Sequence, residues 1–436
     1  MVTTRENEAR EFVSHEDPCR VLADCQACTL LDLDYRKQLQ MKTQDFRALV
    51  AKKGEIFARV RVVDCTPSDA RFGYRHTAKL VVSERVSRPQ PGAPRLAPGE
   101  KPKRWINVGL YRPGTHEVVD IGACPVQTPH INSIVSALRM LIKDFDVSVY
   151  DERSRKGDLR YVVLRTAHKT RQTLVTLVTA SGDKARFAPL ARELMERFST
   201  TLRGVLLHVN TQGGNAIFDA STNLASGVSS GDGAAGEGNI LLSGSRFLEE
   251  QIAGHTLRVS AESFFQVNPL VAERMYNRIT ELADLGAHEN ALDLYCGVGG
   301  ISLLLARSCR RVVGIEESAS AIADARHNAD ANALANVDFF QGRAEDTLAG
   351  VIARGVNPRY DVVTINPSRR GCQPEVLREV AKLSPRRIVY MSCFADTLLR
   401  DAELLSREGY KAVVFEPYDM FPGTSHMEIL CVLDRA

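Results

Sequence analysis

The stretch Ala291-Leu292-Asp293-Leu294-Tyr295-Cys296-Gly297-Val298-Gly299-Gly300-Ile301 decides the fold. A short apolar run breaks into a glycine-rich turn, and Ile301-Ser302-Leu303-Leu304-Leu305-Ala306 then resumes with residues that suit a helix. Strand-like runs return at Arg311-Val312-Val313-Gly314-Ile315, Tyr360-Asp361-Val362-Val363-Thr364-Ile365 and Arg387-Ile388-Val389-Tyr390-Met391, with helical segments between them. Apolar strands that alternate with helices are buried on both faces, so a mostly parallel sheet is predicted, a doubly wound α/β domain over 259–436. Such sheets take ligands beyond the carboxyl ends of their strands. The residues that follow each run are therefore the candidate site.

Working outward, residues 55–258 read as a β-rich domain. Strands are expected at Ile56–Val63, Tyr74–Val82, Ile106–Tyr111, Leu159–Arg165, Thr173–Val178 and Val205–Asn210, with a helix from about Ile131 to Phe145. The Pro- and Gly-rich 87–102 is expected to be a long surface loop, and the Gly/Ser/Ala stretch 221–238 a flexible insertion. Residues 1–54 comprise a charged leader, a cysteine cluster and a helix from Leu31 to about Ala51.

The chain has 436 residues, 44% of them hydrophobic, enough for about three domains. Its apolar runs fall far short of the roughly 18 residues of a membrane span, and its amino end lacks the apolar stretch of a signal peptide. A cytoplasmic protein is expected. Lys plus Arg (56) barely exceeds Asp plus Glu (53), so any polyanion must be held by a local patch. Candidates are Lys101/Lys103/Arg104, Arg153/Arg155/Lys156, Lys169/Arg171 and Arg369/Arg370. Ten cysteines in such a chain do not suggest a disulfide framework, and the crowding of Cys19, Cys25 and Cys28 points to metal.

The strand ends carry chemistry. A glycine turn lets a ligand approach the backbone, and Glu316 at the end of the next strand suits two ribose hydroxyls, which together fit an adenosine ligand. Ser302 stands at the third glycine position of the dinucleotide fingerprint, favouring S-adenosylmethionine over NAD. Asn366-Pro367-Ser368-Arg369-Arg370-Gly371 and Ser392-Cys393 should open onto the same crevice, which makes Cys393 a candidate thiolate. Tyr418 to Leu430 reads as a turn feeding a last strand, with His426 and Glu428 on one face by period two.

In these motifs, and in Ser263-Phe264-Phe265-Gln266-Val267-Asn268, the chain resembles the uracil-C5 RNA methyltransferases over nearly its whole length, most closely the bacterial branch acting on uracil-747 of 23S rRNA. The resemblance implies a Rossmann-like S-adenosylmethionine-dependent domain preceded by an iron–sulfur segment and a mainly antiparallel β RNA-binding domain. It also implies Cys393 as nucleophile and Glu428 as base. Gln266, Tyr295, Glu316 and Asn366 would contact S-adenosylmethionine, and Cys19, Cys25, Cys28 and Cys124 would hold a [4Fe-4S] cluster. Four thiolates also suit zinc. The expected substrate is a 23S rRNA hairpin loop, since a paired uracil hides its ring faces, and the enzyme is expected to be a monomer. Asn366, Ser368, Phe394, Gly300 and Gly423 stand where many relatives have Asp, Pro, Asn, Asn and His. The alternatives are a tRNA uracil-54 methyltransferase, an amino-methyltransferase and a non-catalytic iron–sulfur RNA-binding protein.

Overall fold

A computed structural model describes residues 19–86, 103–211, 239–353 and 359–436. The expected leader, the loop at 87–102, the insertion at 221–238 and Lys101 lie outside the described residues.

After the short α1 (Leu22–Cys25), α2 (Tyr35–Ala51) starts where Asp34 caps it, accepting from the backbone N–H of Arg36 and Lys37. The strand expected at Ile56–Val63 is mostly absent. Residues Gly54–Phe57 form a 3-10 turn, and only β1 (Arg61–Val62) is extended. Burial of Phe57 edge-on against Phe415 overrides the local β preference.

The smaller sheet contains β2 (Thr77–Val86), β3 (Arg104–Tyr111), β4 (Val118–Asp120), β5 (Leu159–Thr166), β6 (Thr173–Thr179), β7 (Leu202–Val209) and β8 (Asn239–Gly244). Its order is β4-β3-β2-β5-β6-β7-β8, antiparallel except for the parallel β6–β7 pair. The apolar faces of α3 (Pro129–Asp144) and α4 (Lys184–Arg197) cover it, burying Ile131, Leu138, Phe187 and Leu190 against Val162, Leu164, Val175 and Leu177. A hairpin, β9 (Phe247–Ile252) and β10 (His255–Ser260), leads to α5 (Pro269–Ala283).

The larger sheet is built from β11 (Asn290–Leu294), α6 (Gly300–Ala306), β12 (Arg311–Glu316), α7 (Ala319–Ala331), β13 (Val337–Gln341), α8 (Ala344–Ala353), β14 (Val362–Ile365), α9 (Pro374–Leu383), β15 (Arg387–Ser392), α10 (Ala395–Arg407), β16 (Tyr410–Tyr418) and β17 (Glu428–Arg435). Its order is β1-β16-β17-β15-β14-β11-β12-β13; β11 to β15 are parallel, and β17 runs antiparallel between β15 and β16. Strand order reverses between β11 and β14, which opens a crevice at their carboxyl ends. The expected doubly wound sheet is thus present. Among the contacts that tie its neighbours to it, β1 pairs with β16, and Asp324 of α7 holds the end of the hairpin through Ser260 N–H (2.7 Å), Ser260 Oγ (2.8 Å) and Ser263 Oγ (2.9 Å). Among the described residues no helix is long and apolar enough to cross a membrane.

Candidate active site

Asp293 ends the apolar part of β11 and is fully buried. Its carboxylate accepts from Ser302 Oγ (2.5 Å) and Thr364 Oγ1 (2.7 Å), binding β11 to α6 and β14. Burial pushes its pKa up to about 6, while the two hydroxyls favour the charged form. The braced turn that follows puts Tyr295, Gly297 and Gly299 at positive φ. A Cβ on Gly297 would meet nothing within 4 Å, so the backbone there is open to a ligand, whereas at Gly299 and Gly300 it would come within 3.0 Å of Phe339 and Tyr276. The unusual Gly300 thus answers to the packing of Tyr276.

Glu316, at the end of β12, accepts from the N–H of Gly297 (3.2 Å) and of Ser318 (2.9 Å), which aims its carboxylate at the turn. Burial raises its pKa and these N–H groups oppose the rise. A cavity of about 1010 Å³ runs from this turn to the ends of β14 and β15. Gln266, Tyr295, Glu316, Asn366, Cys393 and Glu428, all singled out from the sequence, line it together with Arg369.

Cys393 follows β15 at a turn fixed by Ser392, whose Oγ accepts from Phe394 N–H (3.2 Å). Burial and the Glu428 carboxylate raise the thiol pKa; Arg369, near enough to hydrogen-bond the sulfur, lowers it. Glu428 opens β17, is only 4% exposed, and burial pushes its pKa up to about 8 against the opposing charge of Arg369. A thiol, a guanidinium and a carboxyl poised near neutrality therefore meet at one end of the cavity, opposite a turn suited to a nucleoside. The predicted shared face of His426 and Glu428 is not formed. Residues before Glu428 are not extended, and His426 is exposed while Glu428 is buried. Phe394 occupies the N-cap of α10 without a side-chain cap and is 41% exposed.

Sequence reasoning missed what holds the 419–427 loop. Lys42 of α2 is buried against Asp419 (2.5 Å) and also donates to the carbonyls of Phe421 (3.2 Å) and His426 (2.8 Å). Their separation of 377 positions hides the pair from any local pattern. Lys42→Met leaves a buried carboxylate without its cation, so a loss of about 3–5 kcal/mol is expected in urea unfolding, with Lys42→Met/Asp419→Asn recovering part of it. At Gly423, where the resemblance led to the expectation of His, φ is +83°, a Cβ would lie 2.8 Å from Leu31 Cδ1, and Leu30 N–H donates to its carbonyl (2.8 Å). Gly423→His should cost about 1–3 kcal/mol in thermal unfolding.

Cys19, Cys28 and Cys124 flank a small apolar cluster formed by Leu31, Tyr74 and Val126. Cys25 joins them electrostatically: beyond the effect of burial, the ionised forms of Cys19, Cys25 and Cys124 each disfavour ionisation of Cys28. Arg75 favours the thiolates of Cys28 and Cys124. Among the described residues no three His, Cys, Asp or Glu side chains are grouped to hold a single metal ion. Cys19, Cys28 and Cys124 share one apolar cluster, and their thiols are soft donors of the kind that iron–sulfur and zinc centres use.

A Rossmann-like α/β domain with a glycine turn, an acid on the next strand and a cavity between two sheets defines a methyltransferase class of fold. Residues 245–436 match the family model described as tRNA (Uracil-5-)-methyltransferase. A protein of Clostridium tetani named an uncharacterized RNA methyltransferase is 32% identical over 421 residues, spanning 96% of this chain and 82% of its own. A Gloeobacter violaceus protein described in the same words is 34% identical over 421 residues, spanning 97% and 83%. The chain belongs to the RNA uracil-5-methyltransferase family. Its fold is similar to the crystal structure of Pyrococcus abyssi tRNA (uracil-54, C5)-methyltransferase in complex with S-adenosyl-L-homocysteine, with a TM-score of 0.68 and 24% identity, covering 93% of this chain and 85% of that one.

Proposed function

We propose that this enzyme transfers a methyl group from S-adenosylmethionine to C5 of a uridine in a 23S rRNA hairpin loop. The observation that carries the reading is the convergence of Cys393, Arg369 and Glu428 at one end of a cavity whose other end is the glycine turn facing Glu316. Gln266, Tyr295, Glu316 and Asn366 would hold the donor, Glu316 accepting from the ribose hydroxyls. When bound, S-adenosylmethionine supplies the methyl group as an electrophile.

Uracil C5 is a weak nucleophile. Arg369 favours the Cys393 thiolate, which adds to C6; the ring electrons move to the C4 oxygen as an enolate and C5 gains carbanion character. Once C5 carries the methyl group, the Glu428 carboxylate removes the C5 proton. The C5–H electrons re-form the C5–C6 double bond, and the S–C6 bond breaks to return the thiolate.

The central region, 55–258, would carry the RNA-binding surface. Cys19, Cys25, Cys28 and Cys124 would hold a [4Fe-4S] cluster that braces the segment packed on Gly423; no step of the reaction runs through it. The reading places the enzyme in the cytoplasm as a monomer. A tRNA substrate is the second reading, supported by the family description and by the substrate named for the Pyrococcus abyssi enzyme. RNA containing 5-fluorouridine, which has no C5 proton to lose, should trap a covalent enzyme–RNA adduct. Comparing 23S rRNA and tRNA transcripts decides the substrate, and the absence of adduct with either overturns the reading.

A further inference from the structure

We propose that Arg75, Lys79 and Arg165 form a phosphate-binding wall on the smaller-sheet side of the cavity, gripping the RNA backbone beside the uridine that reaches Cys393. The inference rests on the function proposed above and deepens it.

Arg75, Thr77 and Lys79 are alternate residues entering β2, so they share one face at steps of ~6.6 Å. Thr77 lies in register with Arg165 of β5, and all four residues line the cavity that Cys393 and Glu428 also line. Among the lining residues that precede α5, these three are cationic and Glu262 alone is acidic. Glu262 accepts from the Asn239 amide and, with Asp324, offsets part of the charge of Arg165. Arg165 is buried, its Nη1 donates to the Ser260 carbonyl (2.9 Å), and its Nε has no hydrogen-bond partner among the described residues. After burial itself, Arg165 and Arg75 are what lower the proton affinity of Lys79, so the three cations feel one another across the wall. Three cations against one acid on this wall give it a net positive character suited to an anion. A nucleic-acid strand presents anions in a row, as the wall presents cations, whereas the donor-suited turn and Glu316 lie on the other sheet. None of these residues belongs to a basic run in the sequence, because β2 and β5 are joined only by pairing.

The test uses the full-length enzyme and 23S rRNA and tRNA transcripts containing 5-fluorouridine. Wild-type binding is followed from about 50 to 200 mM salt; each lost phosphate contact should flatten the log–log slope by about 0.7–0.9. Lys79→Gln and Arg75→Gln should each show that loss, with an affinity drop of several-fold, while Lys79→Arg keeps the wild-type slope. Lys382→Gln, on the exposed surface of α9, should also keep it. S-adenosylhomocysteine affinity should be unchanged in every variant. A wild-type slope in both Gln variants overturns the wall, as does an equal loss in Lys382→Gln or a loss of S-adenosylhomocysteine affinity in place of RNA affinity. If adduct forms normally but the slopes do not move, the wall alone fails. If wild type forms no adduct, the proposed function fails and the wall with it.

Discussion

Cys393→Ala is expected to form no adduct with 5-fluorouridine RNA and to lose turnover by on the order of 10⁵-fold or more, as removal of a covalent nucleophile does. The substitution removes one sulfur from a half-buried turn whose backbone is fixed by Ser392, so the fold should survive. RNA and S-adenosylhomocysteine should bind with affinities close to wild type, since the glycine turn and Glu316 are untouched. Gel mobility of the denatured complex and methyl incorporation measure the two losses. Normal methylation by this variant would refute the role of the sulfur, whereas weak RNA binding would point to damaged structure.

Glu428→Gln should separate two steps. Addition and methyl transfer do not need the carboxylate, but proton removal does, so the variant should accumulate methylated RNA bonded to enzyme while turnover falls by about 10²–10⁴-fold. The wild-type pH dependence follows from the same group. With its pKa pushed up to about 8, Glu428 is mostly protonated at neutral pH. Turnover limited by elimination should therefore rise about tenfold per pH unit below 8 and level off above it. Stability has the opposite sign. Below about pH 4.5 the carboxyl is neutral in both folded and unfolded chains; as pH rises toward 8 the unfolded chain ionises first, and the fold loses stability until the buried group also ionises. Glu428→Gln escapes this loss and should be more stable than wild type at pH 8 by on the order of 4 kcal/mol, measured by urea unfolding at pH 4.5 and pH 8. Equal stability at both pH values would show that the carboxyl does not titrate as its burial requires.

The parallel strands of the catalytic domain were legible because a buried strand followed by a glycine turn or a helix start is a local pattern, and strand ends in such sheets converge by topology. That is why Gly297, Glu316, Asn366 and Cys393 could be picked out from short motifs and do line one cavity. Glu428 was legible through the resemblance, but its burial was not. A period-two reading put it beside His426, but the strand begins only at Glu428, after a loop whose Phe421 and His426 carbonyls accept from Lys42. The strand expected at Ile56–Val63 failed for the same kind of reason, Phe57 being claimed by edge-on packing against Phe415.

What the sequence determined by itself was the order of strands, turns and reactive side chains, since these depend on neighbours a few residues apart. Tertiary structure alone decided the environment of those side chains. The raised proton affinity of Glu428, the buried Lys42–Asp419 pair, the requirement for glycine at 423 and the row of cations on β2 and β5 each arise from groups brought together across long stretches of chain. Desolvation and Coulomb interaction depend on distance in space and on exclusion of water, and neither quantity is written in the spacing of residues along the chain.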